Sequence, residues 1–274
     1  MDLYTLINIV YVLSAVTFIL GFKLMSHPAT AQRGNLIAAV GIVSAMVATL
    51  MDAHIGRFEY ILIGLVAGTL VGLQLARRTP MTGILPTVAL LNGFGGLGGL
   101  LVAWAEFHAH PAGQGWLGGI LLWLATVSGS VAFSGSMTMW GKMEQKISGK
   151  PVGWQRYISR VIVFGMAASG ALFAMDTVAP EAYRYFALFA VLALILGAVW
   201  AAPFDKSDFS AAVSILNACS GLSACASGFV FQNTLLVATG ALVCGGGIAL
   251  ARSILKETNR PAANVLAGGF RDWE

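Results

Sequence analysis

The chain has 274 residues, 57% of them hydrophobic and 10% charged, with a mean hydropathy of +0.79 and a formal net charge of +4. Soluble domains carry about a quarter charged residues, so this composition excludes a soluble enzyme and requires a polytopic membrane protein. The positive surplus is a matter of membrane topology, counted below, and not a nucleic-acid footprint.

Apolar runs near the ~20 residues that a helical span needs recur along the whole chain. Their cores are residues 3–20, 36–51, 60–75, 84–104, 116–139, 158–175, 185–200, 209–231 and 235–251. The expected fold is all-α: a bundle of nine transmembrane helices over residues 1–257, then a cytoplasmic tail or linker over residues 258–274. The opening MDLYTLINIVYVL lacks the basic stretch of a cleaved signal and reads as the first span. Nine spans put the two ends on opposite sides. One side collects Lys23, Arg33, Arg77, Arg78, Lys142, Lys146, Lys150, Arg156, Arg160, Lys206, Arg252, Lys256, Arg260 and Arg271; the other receives Arg57 and Arg184. The positive-inside rule then places the N-terminus outside and the C-terminus in the cytoplasm.

The first three spans are rich in Leu, Ile, Val and Ala and read as packing elements. His27 and His54 fall in short loops and read as solvated. The fourth span, ILPTVALLNGFGGLGGLLVAW, holds Gly93, Gly95, Gly96, Gly98 and Gly99. A phosphate-cradling loop needs a preceding strand and usually a Lys; this run has neither. Close helix packing through the GxxxG pair Gly95 and Gly99 is the better reading. Asn92 precedes the run, roughly 12 Å into the membrane from Ile84 at the helical rise. At the far end of this span His108 and His110 are two apart, which does not put both imidazoles on one helical face, and no metal site is expected there.

The fifth span carries Thr126, Ser128, Ser130, Ser134, Ser136 and Thr138. Lone hydroxyls bond back to their own helix, but six within so short a stretch exceed that need. The loop after it, WGKMEQKISGKPVGWQRY, is basic and suits lipid headgroups. The sixth and seventh spans are plain. The eighth, DFSAAVSILNACSGLSACASGFVF, is small and polar where an anchor would be branched and apolar. Ser214, Asn217, Ser220 and Gly221 share one side of it, and Asn217 lies roughly 13 Å beyond Asp208. A carboxamide at that depth must face protein or water. Asp208 stands where a helix cap belongs. The ninth span carries Gly245, Gly246 and Gly247, roughly 10 Å from Arg252. Cys219, Cys225 and Cys244 lie inside spans and read as small packing residues.

Asn92, Asn217 and Gly245–Gly247 therefore sit at one depth, with hydroxyls such as Ser128, Ser130 and Ser214 near the layer. Glycines leave space and the amides and hydroxyls hold water, which is the composition of a narrow wet pathway. No span has an Asp, Glu, Lys or Arg near its centre, which disfavours a voltage sensor or a carboxylate-driven carrier. Such a pathway suits a solute transporter or channel, whereas a passive scaffold would explain the apolar bulk but not the shared polar layer.

The stretches PTVALLNGFGGLGGLL, FSGSMTMWGKMEQKISGKP, DFSAAVSILNACSGLSACASGF, TGALVCGGGIAL and NVLAGGF are spread along the chain. Together they resemble the membrane part of the beta subunit of proton-translocating NAD(P) transhydrogenase. The resemblance implies coupling of hydride transfer between NAD(H) and NADP(H) to proton movement. It implies that both nucleotides bind on soluble partner domains, with no cofactor, metal or catalytic residue on this chain. Asn217 matches a polar residue of the family's proton pathway, Asp208 an acidic residue at its cytoplasmic mouth, and Gly245–Gly247 a segment important for coupling. Lys206 and Arg260 would flank that mouth. The implied partners are an alpha-type membrane segment, a soluble NAD(H)-binding subunit, an NADP(H)-binding domain, lipid and a second copy of the assembled unit.

Two departures stand out. The family's usual pathway histidine falls at Asn92, and an amide cannot take up and release a proton near neutral pH. Either a histidine on another subunit's helix supplies that function, as some relatives place it on the alpha-type segment, or water held by the asparagines does. The chain also carries no dinucleotide fingerprint, so hydride transfer is expected to require other domains.

Overall fold

The computed structural model describes residues 3–51, 57–110, 115–148 and 155–259. Among these residues there are nine α-helices, one short 3-10 turn and no strand. The helices are α1 (Leu3–Met25), α2 (Ala31–Leu50), α3 (Phe58–Arg78), α4 (Ile84–Ala109), α5 (Gly115–Met143), α6 (Gln155–Met175), α7 (Ala182–Ala201), α8 (Phe209–Val230) and α9 (Thr234–Glu257). All nine are long and apolar enough to cross a membrane. The polytopic all-α reading of the sequence is therefore the observed architecture. Apart from α8, which ends one residue short of its expected core, the helices extend beyond their apolar cores at one end or both, because backbone hydrogen bonding carries a helix past the hydrocarbon edge into the polar flanks.

The chain forms two compact units, Met1–Thr82 and Gly83–Glu274. In the first, α1 and α2 pack as an antiparallel pair with backbones in near contact. A methyl group added to Gly34 would lie 2.6 Å from the Gly21 carbonyl oxygen. Tyr11 and Thr49 share a hydroxyl hydrogen bond of 2.9 Å across the pair. Helix α3 buries none of its residues.

In the second unit, α5 is the central element, packed against α4, α6, α7 and α8, while α9 pairs with α8. Small residues set these distances. Gly96 of α4 meets Gly129 of α5, where an added Cβ on Gly96 would lie 2.7 Å from the Gly129 carbonyl oxygen. Gly95, expected to pack through GxxxG, instead faces open space, and the contact stripe is Gly93, Gly96 and Gly99. The physical reason is rotation: the α4 face bearing Asn92 turns toward α5 and α8, and because successive residues are roughly 100° apart around a helix, Gly95 points more than a quarter of a turn away from Gly96. One end of this unit is sealed by aromatic rings. Phe107, Phe173, Phe186 and Phe189 are buried, and Phe107 lies 4.9 Å from Phe173 and 5.1 Å from Phe186 between centroids. The opposite end holds Met139, Phe204, Phe209, Leu216 and Leu255. These are termed the His110 end and the Lys142 end below.

Candidate functional site

A polar layer crosses the second unit where α4, α5 and α8 meet. Asn92 is buried at its centre. Its Nδ2 donates to Ser136 Oγ of α5 at 2.9 Å, and its Oδ1 accepts from Ser220 Oγ of α8 at 2.7 Å. The Ser220 hydroxyl also lies 2.9 Å from the Asn217 carbonyl oxygen, so its one proton is shared between two acceptors. The arrangement follows from glycine. Gly93 sits against Ser136 and Phe133, and Gly96 against Phe133 and Gly129, so that α4 approaches α5 closely enough for an asparagine to bridge to a serine. One turn further toward the His110 end, Ser223 Oγ donates to the Ala125 carbonyl of α5 at 2.7 Å, and Gly99 leaves room for it.

Asn217 lies beside this layer. Ser220 points to α4, while Gly221 and Ala218 pack on Gly240 and Gly247 of α9, which puts Asn217 on the arc of α8 between those two neighbours. Its carboxamide is half-buried and bonds to no described side chain. The layer can thus hold donors and acceptors in fixed positions, yet none of its four side chains can take up a proton and release it near neutral pH.

The other residues singled out by sequence have varied settings. Ser128 bonds back to the Leu124 carbonyl at 2.6 Å, and Ser214 to Ser210 at 2.8 Å. Ser130 is fully buried with its hydroxyl unpartnered among the described residues, as is Thr126. Gly247 packs against Ser214 and Ala218, Gly246 is half-covered, and Gly245 faces open space. Ser136, the residue that joins Asn92 to α5, could have been ranked above Ser128 from the sequence by its depth. It sits six residues before Lys142 at the membrane edge, against eight residues from Ile84 to Asn92.

At the Lys142 end, the α7–α8 connection is anchored at both sides. Pro203, Phe204, Asp208 and Phe209 are buried, whereas Asp205, Lys206 and Ser207 project. Trp200 and Phe204 stack edge to face at 4.7 Å. Asp205 Oδ1 accepts from the Ser207 backbone N–H at 3.1 Å, an Asx turn that shapes the tip. Asp208 precedes α8 but makes no side-chain cap bond to it, contrary to the capping expectation. Its backbone is already in the helical region at φ −100° and ψ −12°, away from the extended geometry that aims a capping oxygen at the next N–H groups. The role of Lys142 is not visible in its sequence context. Its ammonium crosses from α5 to donate to the carbonyls of Ala202 and, at 2.6 Å, of Phe204. The Ala202 carbonyl is at the C-cap of α7, among the unpaired acceptors of a helix C-terminus where a cation is favoured, and the Phe204 carbonyl belongs to the connection that follows. Arg260 lies outside the described residues, as does residue 260 onward of the expected tail.

At the His110 end, Glu106 Oε1 in the last turn of α4 and Nδ1 of its C-cap residue His110 are 3.3 Å apart, and His108 Nδ1 bonds Tyr183 Oη of α7. Sequence reading weighed only the spacing of two between the histidines and missed the spacing of four between Glu106 and His110. No cluster of metal ligands occurs among the described residues.

Comparison with known proteins places these features in context. A family profile described as NAD(P) transhydrogenase beta subunit matches residues 7–274. Two curated relatives, each described as NAD(P) transhydrogenase subunit beta and both from Rhodospirillum rubrum, are 32% identical to the chain over 270 residues. The matches cover 95% of this chain and 57% of each relative, so the chain spans a little over half the length of those proteins.

Proposed function

Because the chain belongs to the NAD(P) transhydrogenase beta-subunit family and is a multi-pass inner-membrane protein, we propose that it is the proton-translocating membrane part of such an enzyme. It would couple hydride transfer between NAD(H) and NADP(H), held on partner domains, to proton movement across the membrane. The single observation that carries this reading is the Asn92–Ser136–Ser220 hydrogen-bonded set, buried at mid-depth with Asn217 beside it. A scaffold has no need of that polarity, since each buried amide left short of partners costs about 1–3 kcal/mol.

The four side chains orient water; they do not carry the proton themselves. A histidine on the partner alpha-type membrane segment, seated beside Asn217 on the open arc of α8, would supply the titratable group. The Lys142 end would be cytoplasmic, as the charge count requires. There the NADP(H)-binding domain would meet the tip Asp205–Ser207, with Asp208 and Lys206 at the mouth and Arg260 nearby. The glycine run of α9 would let α8 and α9 shift against each other. Coupling then requires that the NADP(H) domain bind differently to the inward-open and outward-open states of the layer.

The test is Asn217→Leu in the assembled enzyme in vesicles. The reading predicts loss of proton pumping driven by hydride transfer while assembly is intact. Unchanged pumping would return the chain to a scaffold. Movement of another solute without the soluble partners would make it a transporter.

A further inference from the structure

We propose that Glu106, paired with His110, is the proton-exchanging group at the His110 end, and that the α4–α8 seam connects it to the Asn92 layer. This rests on the proton-conducting reading and goes beyond it, because the layer contains no group that could hand a proton to water on that side.

The geometry begins with helical register. Asn92, Gly99, Ala103 and Glu106 follow one another at intervals of seven, four and three, so they occupy one stripe of α4, and His110, four residues beyond Glu106, is the C-cap residue of that helix. Glu106 is roughly 21 Å along the helix from Asn92. On α8, Ser220, Ser223 and Ser227 form a matching stripe at spacings of three and four. The two helices run parallel. Ser220 bonds Asn92, and the space left by Gly99 is filled by Ser223, which fixes the register. Ser227 then lies one turn further on, level with Ala103, between the polar layer and Glu106.

Ser227 is 3% exposed, and its hydroxyl has no partner among the described residues. A buried hydroxyl without a partner is costly unless water reaches it. Its position on this stripe points to water within the seam. Glu106 is the only carboxylate on the stripe, and its side chain is 14% exposed against 67% for His110. The pair therefore has a shielded member and a solvent-facing member. In the inward direction an imidazolium Nδ1–H of His110 passes its proton to the carboxylate Oε1 of Glu106, leaving neutral imidazole and a carboxylic acid. The acid then gives the proton to water along Ser227 and Ser223. The outward direction reverses each transfer. The ionisable groups on neighbouring elements at this end are His108, bonded to Tyr183, with Asp176, Glu181, Arg184 and Tyr185 around the start of α7. The ends of α5, α8 and α9 present none.

The test uses the assembled enzyme in vesicles, with pH varied only on the Glu106 side and proton movement read by a trapped dye. Glu106→Gln is expected to lower pumping tenfold or more and to abolish its dependence on pH at that side, while dependence on pH at the Lys142 side is retained. Glu106→Asp is expected to remain within threefold of wild type. Ser227→Val, which closes the seam with apolar bulk, is expected to lower pumping without abolishing the pH dependence, and it tests the seam if Glu106→Gln does not assemble. Wild-type pumping in either Glu106→Gln or Ser227→Val, beside an Asn217→Leu enzyme that does not pump, would overturn this inference alone. Wild-type pumping in Asn217→Leu as well would overturn the conducting role beneath it.

Discussion

Ser220 and Asn92, 128 residues apart in the chain, share a hydrogen bond of 2.7 Å at the crossing of α8 and α4. The bond fixes the register of two parallel helices at mid-depth and does so with polar atoms where apolar ones would pack as well. Ser136 completes it from α5. Three helices thus spend buried polarity on a single level.

That level makes a distinction between serines of one helix. Ser136→Ala removes the acceptor of the Asn92 amide, and the assembled protein should lose about 1–3 kcal/mol of stability together with coupled turnover. Ser128→Ala removes only a back-bond to Leu124, whose carbonyl keeps its helix partner, and should change stability by about 0.5 kcal/mol or less. Thermal unfolding in detergent and pumping in vesicles compare the two. Equal effects would show that Ser136 is as local as Ser128.

The glycines of α4 divide in the same way. Gly96→Ala would drive a methyl group to 2.7 Å from both the Gly129 carbonyl oxygen and the Phe133 backbone nitrogen, which forces α4 from α5 and should break the Asn92–Ser136 bond. Gly95→Ala meets nothing within 4 Å. It should be neutral or stabilising by up to about 1 kcal/mol, the helix-propensity difference. Expression and thermal stability of the two variants measure this directly.

Lys142 holds the α7–α8 connection by two carbonyls. Lys142→Met leaves Ala202 and Phe204 without their cation, and with charge-assisted bonds lost should cost about 2–4 kcal/mol locally. Faster amide hydrogen exchange over residues 204–208, with the α4–α5 contact unchanged, is the expected signature. Unaltered exchange there would mean that buried Phe204 and Phe209 hold the loop unaided.

Nine spans and the special depth of Asn92 and Asn217 were legible in the sequence because hydropathy and the helical rise are one-dimensional quantities. Rotation about each helix axis was not. Gly95 and Gly96 are adjacent in sequence, and only packing decides which meets α5. Likewise Ser128 and Ser136 differ in which neighbour they face, a property of three helices at once. Lys142 read as one more basic residue at a membrane edge, since its target carbonyls come from a connection some sixty residues away. The Glu106–His110 pair is within reach of the helical period, since residues four apart are neighbours on a helix surface.

The central claim is that Asn92 organises the proton pathway, and the most direct measurement is hydride-transfer-driven pumping by the assembled enzyme carrying Asn92→Leu. Leucine is close in size and removes both hydrogen bonds. The account predicts that pumping falls at least a hundredfold, and that a protonophore does not restore hydride transfer, with the complex still assembled. Pumping at the wild-type rate would contradict it, and would leave the Asn92–Ser136–Ser220 set as a structural clasp between helices.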